Sequence, residues 1–220
     1  DDIRLILEDY RSGARAALEA GFDGVEIHAA NGYLIEQFLK SSTNQRTDDY
    51  GGSIENRARF LLEVVDAVAE EIGAGRTGIR LSPVTPANDI FEADPQPLYD
   101  YVAEQLGKRN LAFIHVVEGA TGGPRDFKQG DKPFDYAAFK GAYRNAGGKG
   151  LWIANNGYDR GSAIEAVESG KVDAVAFGKA FIANPDLVRR LKNDAPLNEP
   201  NQPTFYGGGA EGYTDYPALG

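Results

Sequence analysis

The chain has 220 residues, with 23 Lys and Arg against 33 Asp and Glu, a formal net charge of -10, which argues against a nucleic-acid surface and against a polybasic membrane contact. With no Cys and only two His, disulfides, thiol nucleophiles, thiolate metal sites and a His-rich metal centre are excluded. No signal peptide and no bilayer-length apolar run is present, so a soluble cytoplasmic protein with one domain's worth of core is the simplest expectation.

Apolar residues at Ile3, Ile6, Leu7, Tyr10, Ala14 and Leu18 predict a helix over 3–20, stopped by Gly21. Val25 and Ile27 then form a short buried strand whose end carries His28, Asn31 and Tyr33. Residues 33–39 are a short amphipathic stretch, and 41–54 a polar, Gly-rich loop. Phe60, Leu61, Val64, Val65 and Val68 give residues 54–72 a helical apolar face. Residues 77–83 read as a strand stopped by proline, and 97–107 as a helix.

A strand over 111–117 contains His115, and a Gly-rich loop over 118–133 leads to a helix at 136–143. The strand 151–154 precedes Asn155-Asn156-Gly157, a helix follows at 161–169, and the strand 172–177 precedes Gly178-Lys179. Residues 186–192 form a short helix, and the tail from Ala195 is expected as an ordered loop. The alternation of strand and helix predicts a parallel sheet of βα units. A closed eight-stranded barrel takes about 250 residues, so five units form either an open sheet or the back part of a barrel. The start at Asp1 without an initiator Met suits the middle of something longer, or a processed or engineered end.

In a parallel sheet the strand ends share one face, where such folds place chemistry. That face would gather His28, Asn31, Tyr33, Arg80, His115, Glu118, Asn156, Gly157, Gly178 and Lys179. A capped strand end with a satisfied His is the plain alternative for the first three. Arg80 inside an apolar strand needs an anionic or accepting partner; pairing with a carboxylate is its structural alternative. Gly turns before helices, after two consecutive strands, suit a phosphate held by N–H groups, with Lys179 adding a cation. His115 is expected as a satisfied layer histidine, and Asp48-Asp49 and Glu70-Glu71 as solvated pairs.

The segments His28-Ala29-Ala30-Asn31-Gly32-Tyr33-Leu34, Gln37-Phe38-Leu39, Arg46-Thr47-Asp48 and Tyr50-Gly51-Gly52-Ser53-Ile54-Glu55-Asn56-Arg57 resemble the Old Yellow Enzyme family of flavin-dependent ene-reductases. Phe177-Gly178-Lys179, Phe181–Leu187 and the tail segments 204–208 and 212–217 are similar to it too, most of all to its N-ethylmaleimide, glycerol trinitrate and xenobiotic reductase branch. The resemblance implies an FMN-binding (β/α)8 barrel, of which residues 1–220 supply about strands four to eight and the C-terminal tail. It implies reduction by NADPH or NADH and hydride transfer to an activated alkene, with nitrate esters and nitro compounds as further substrates.

Carried over by the resemblance, His28 and Asn31 bind the substrate oxygen and Tyr33 is the proton donor. Arg80 faces the flavin, while Asn156, Gly157, Gly178 and Lys179 hold its phosphate, and Tyr206 lines the substrate pocket. The pair His–Asn stands where some relatives have His–His, and Lys179 where many have Arg, which exchanges a bidentate fork for a point charge. The resemblance also implies that the family's first three strands lie outside this chain, so a complementing N-terminal fragment is the expected partner besides a small-molecule substrate. A non-catalytic truncated barrel acting as a binding or assembly module is the rival expectation. A phosphate-binding isomerase or aldolase is weaker, because no Lys or paired carboxylates suited to that chemistry stand at the strand ends.

Overall fold

The computed structural model describes residues 2–129 and 132–220. In chain order the elements are α1 (Asp2–Glu19), β1 (Val25–Ala29), α2 (Leu34–Leu39), α3 (Ile54–Ile72), β2 (Thr77–Leu81), α4 (Pro95–Gly107), β3 (Phe113–Val117), α5 (Tyr136–Asn145), β4 (Leu151–Asn155), α6 (Arg160–Glu168), β5 (Ala174–Ala176), α7 (Lys179–Ala183) and α8 (Leu187–Asn193). Short 3-10 turns occupy Ala74–Arg76 and Gln202–Thr204.

The five strands pair in parallel in the order β1-β2-β3-β4-β5. Successive side chains on a strand point to opposite faces. One face carries Ile27, Ala29, Ile79, Leu81, Ile114, Val116, Trp152 and Ala154, all buried in the core with residues of α3, α4 and α5. The other face is mixed. The pairing lines up His28, Arg80, His115, Ile153 and Ala174 in one row across it. One row below, Glu26, Gly78, Phe113 and Leu151 are aligned, and Leu151 is 53% exposed. A parallel sheet is normally covered on both faces; this one is packed on one face and open on the other.

Helix starts follow local chemistry. The Ser53 hydroxyl caps α3 by accepting from the Asn56 N–H at 3.3 Å, and Asp159 with Ser162 forms a reciprocal capping box on α6. The apolar stripe read at Phe60, Leu61, Val64, Val65 and Val68 is buried throughout. The expected helix and strand bounds hold to within two residues. The last strand contracts from 172–177 to Ala174–Ala176, and α7 was not foreseen because five residues are too few to show helical periodicity. Within the expected loop 118–133, residues 130 and 131 lie outside the described residues.

The tail is irregular apart from its 3-10 turn, and α8 ties it down. Arg190 donates to the Asp186 carboxylate at 2.7 Å and to the Pro217 carbonyl at 2.7 Å, and Arg189 donates to the Gly220 carbonyl at 2.9 Å. Three of the four expected solvated carboxylates are paired: Glu70 and Glu71 meet Arg11 and Arg15 of α1 at 2.6 and 2.7 Å, and Asp48 meets Arg46. Among the described residues no helix is long and apolar enough to cross a membrane.

Candidate active site

The end of β1 turns sharply. Asn31 and Gly32 both take left-handed backbone conformations, at φ 58° and 77°, which Asn tolerates and Gly adopts freely. A Cβ on Gly32 would also meet the Ala87 carbonyl oxygen at 2.4 Å, so the close approach requires glycine. This turn hangs from a buried carboxylate. Glu36 Oε2 accepts from the Gly32 N–H at 2.6 Å; Oε1 accepts from Ser82 Oγ at 2.8 Å and from the Tyr99 hydroxyl at 2.9 Å. Ser82 Oγ in turn accepts from the Asn31 N–H at 2.8 Å. Lys40 Nζ lies 3.2 Å from Glu36 Oε1, and both side chains are 0% exposed. Burial lowers the Lys40 pKa, with Glu36 opposing that shift.

Glu36, Lys40, Ser82 and Tyr99 do not stand among the residues that the strand ends single out. The available signal is an acid–base pair four residues apart, Glu36 in α2 and Lys40 at its C-cap, beside the apolar Leu34, Ile35, Phe38 and Leu39.

The turn leaves Tyr33 at the head of α2, 56% exposed, with its ring centroid 5.4 Å from that of His28. Partial burial, followed by the Arg80 guanidinium, holds the His28 pKa below its ordinary value. Asn31 and Tyr33 line a hollow of about 320 Å³ with the loop after β2. His28 instead lines a second hollow, of about 430 Å³, beside α1.

Arg80 sits level with His28 and His115 on the open face. Its Nη2 donates to Asn155 Oδ1 at 3.3 Å, and its Nε is buried with no partner. No carboxylate lies within ion-pair distance of it among the described residues, so the structural alternative for Arg80 is not met. Burial lowers its pKa, and the more distant charge of Glu26 opposes this. His115 is a layer residue satisfied on one side only: Nδ1 meets Glu26 Oε2 at 2.8 Å, while Nε2 is buried without a partner.

The side chain of Asn156 is engaged by the loop after β3. Its Nδ2 donates to the carbonyls of Glu118 and Ala120 at 2.7 and 2.8 Å, and its Oδ1 accepts from the Gly122 N–H at 3.1 Å. The carboxamide therefore braces the loop after β3, leaving only the backbone at 156 for a ligand. Gly157 and Lys179 are exposed, and Gly178 heads α7 with open space where a Cβ would stand. Tyr206 is 96% exposed on the tail. Among the described residues no group of three His, Asp or Glu could hold a metal ion.

Parallel βα units with polar groups gathered at the strand ends define a segment of an α/β barrel whose chemistry sits at one mouth. Sequence and structure comparisons agree on which barrel. The family model described as "NADH:flavin oxidoreductase / NADH oxidase family" matches residues 1–198, and the chain belongs to that family, the Old Yellow Enzyme family. It is 50% identical to putative 12-oxophytodienoate reductase 5 of Oryza sativa subsp. japonica, over 100% of this chain and 57% of that protein. It is 48% identical to a probable flavin mononucleotide-dependent alkene reductase of Leishmania infantum, again over 100% of this chain and 57% of that protein.

Among solved structures, morphinone reductase in complex with tetrahydroNAD superposes with a TM-score of 0.89 at 48% identity, over 100% of this chain and 57% of that one. The old yellow enzyme homologue from Zymomonas mobilis gives a TM-score of 0.91 at 42% identity, over 100% and 60%. The five strands are thus part of a (β/α)8 barrel, and the chain spans a little under three-fifths of the length of the curated relatives it matches.

The residues present fit a flavin. A half-buried guanidinium and a half-buried imidazole each keep a buried, unpartnered nitrogen on the uncovered sheet face, which hydrogen-bonding atoms at the edge of a flavin ring would satisfy. The open, positively flanked turn at Gly178-Lys179 suits a phosphate.

Proposed function

We propose that this chain carries the substrate side of an FMN-dependent oxidoreductase that reduces activated alkenes such as enones and maleimides, and nitrate esters or nitro compounds, with NADPH or NADH as reductant. FMN, when bound, supplies the hydride for the alkene's β-carbon. The chain's own residues do the rest. His28 and Asn31 donate hydrogen bonds to the substrate's carbonyl or nitro oxygen, draw electron density from the double bond and stabilise the charge that develops. The Tyr33 hydroxyl gives its proton to the α-carbon as general acid.

Arg80 offsets negative charge on the flavin. The backbone at Asn156, Gly157 and Gly178, with the Lys179 ammonium, holds the phosphate, and Tyr206 borders the substrate pocket. Residues 1–220 form the C-terminal part of a single FMN-binding domain, and the strands that complete it come from outside this chain. Nucleic acid and membrane have no part in this reading. The observation that carries it is the open sheet face, where Arg80 keeps a buried, unpartnered Nε level with His28, and His28 in turn touches Tyr33.

The test is to purify the chain alone and together with a fragment supplying the remaining strands, then compare retained visible flavin absorbance and NADPH-dependent enone reduction. Flavin and turnover in the mixture support the proposal. Turnover by the lone chain overturns the need for a complement. A colourless mixture overturns the catalytic reading in favour of a binding or assembly module.

A further inference from the structure

A carboxamide offers a donor at one end and an acceptor at the other, and the two ends exchange by a half-turn about a soft torsion. Only the Nδ2 end of Asn31 can bind a substrate oxygen; the Oδ1 end would repel it. The backbone around this side chain is already fixed. The Asn31 N–H donates to Ser82 Oγ at 2.8 Å, and its carbonyl accepts from Asn88 Nδ2 at 2.9 Å. What remains to be set is the direction of the amide itself.

Thr121, in the loop after β3, supplies that choice. Its Oγ lies 2.8 Å from Asn31 Oδ1 and 3.2 Å from Thr85 Oγ. Thr85 donates to the Gly119 carbonyl at 2.8 Å. A hydroxyl has one proton to give. The Thr85 proton goes to a carbonyl that can only accept, and the Thr121 proton goes to the nearer of its two acceptors, Asn31 Oδ1. Asn31 Nδ2 is left as the outward donor, with no acceptor for it among the described residues.

We propose that Thr121 is a positioning residue: its hydroxyl fixes the Asn31 carboxamide so that Nδ2 faces the substrate oxygen. The catalytic part of this inference rests on the function proposed above. Thr121 is exposed and lies at the hollow that Asn31 and Tyr33 line, so Thr121→Val removes the donor while keeping the shape.

The experiment measures steady-state reduction of a cyclic enone by the flavin-loaded holoenzyme, as wild type, T121V, T121S, N31A and T121V/N31A. The Asn31 side-chain NH2 resonances, assigned by their loss in N31A, are followed in the same proteins. T121V should lower kcat/KM by about tenfold, the loss expected for one well-made hydrogen bond. T121S should restore it, and adding T121V to N31A should change nothing. In parallel, the NH2 pair should be single in wild type and T121S and doubled or broadened in T121V.

A sharp, unmoved NH2 pair in T121V overturns the proposal whatever the activity. So does a tenfold loss that persists in the N31A background, because that loss would be structural. If wild type fails to reduce the enone while the NH2 pair still doubles in T121V, the proposed function falls and the orienting role of Thr121 stands.

Discussion

The His28 imidazole is placed to act as a neutral donor. Partial burial and the Arg80 guanidinium disfavour its charged form, so at neutral pH it keeps one N–H to give and one lone pair. Its pKa in the fold lies below the unfolded value of 6.5, so folding favours the unprotonated ring. That contribution to stability is fully present above pH 6.5 and is lost as pH falls through the lowered folded value. We expect kcat/KM for an enone to stay level from neutral pH to mild alkali and to fall on the acid side. His28→Asn keeps a donor but cannot titrate, so it should remove the acid limb; a limb that survives in this variant would assign it to another group. Tyr33 makes a sharper case. Tyr33→Phe keeps the ring that meets His28 and removes only the proton, so flavin absorbance should persist while kcat falls by about 10²- to 10⁴-fold. A variant that loses flavin as well would mean that Tyr33 serves the fold rather than the reaction.

At the scale of elements, the site depends on how α2 is tied beneath the end of β1. Glu36 meets donors from Gly32, Ser82, Tyr99 and Lys40. A carboxylate, which only accepts, satisfies all four at once. Glutamine at 36 would turn an NH2 toward one of these donors and leave the buried Lys40 ammonium with only the more distant charge of Glu92. Removing one partner of a buried pair costs about 3–5 kcal/mol, so Glu36→Gln should lower the denaturation midpoint strongly. Adding Lys40→Met should recover much of the loss, a coupling that chemical unfolding of the two single variants and the double variant measures directly. If the effects of the two substitutions simply add, the pair is not coupled.

These features also mark where sequence reading succeeds and where it stops. The short apolar strands and the period-3.6 face of α3 are written in consecutive residues, so both were legible, as were His28, Asn31, Tyr33 and Arg80 at strand ends. The Glu36 network and the diversion of Asn156 onto the loop after β3 were not. Both are set by partners tens of residues away, such as Ser82 and Tyr99 for Glu36 and Glu118, Ala120 and Gly122 for Asn156. No local pattern announces such pairings.

At the scale of the molecule, a five-stranded parallel sheet leaves two strands at its edges, β1 and β5. Edge strands keep a row of backbone donors and acceptors without strand partners, and they exchange hydrogens sooner than central ones. β1 is also the strand that carries His28 and leads into the Asn31 turn, so the least protected side of the sheet is the side proposed to bind substrate. If the remaining strands close the barrel, they must pair with both edges and cover the row of His28, Arg80 and His115. Native-state hydrogen exchange on the chain alone should therefore show β3 protected and β1 and β5 exchanging quickly. Addition of the complementing fragment should slow β1 and β5 by orders of magnitude while β3 changes little, because its neighbours β2 and β4 are already in place. Uniform protection across all five strands in the lone chain would mean that the sheet is complete without a partner, and the site would then have to work on an open face.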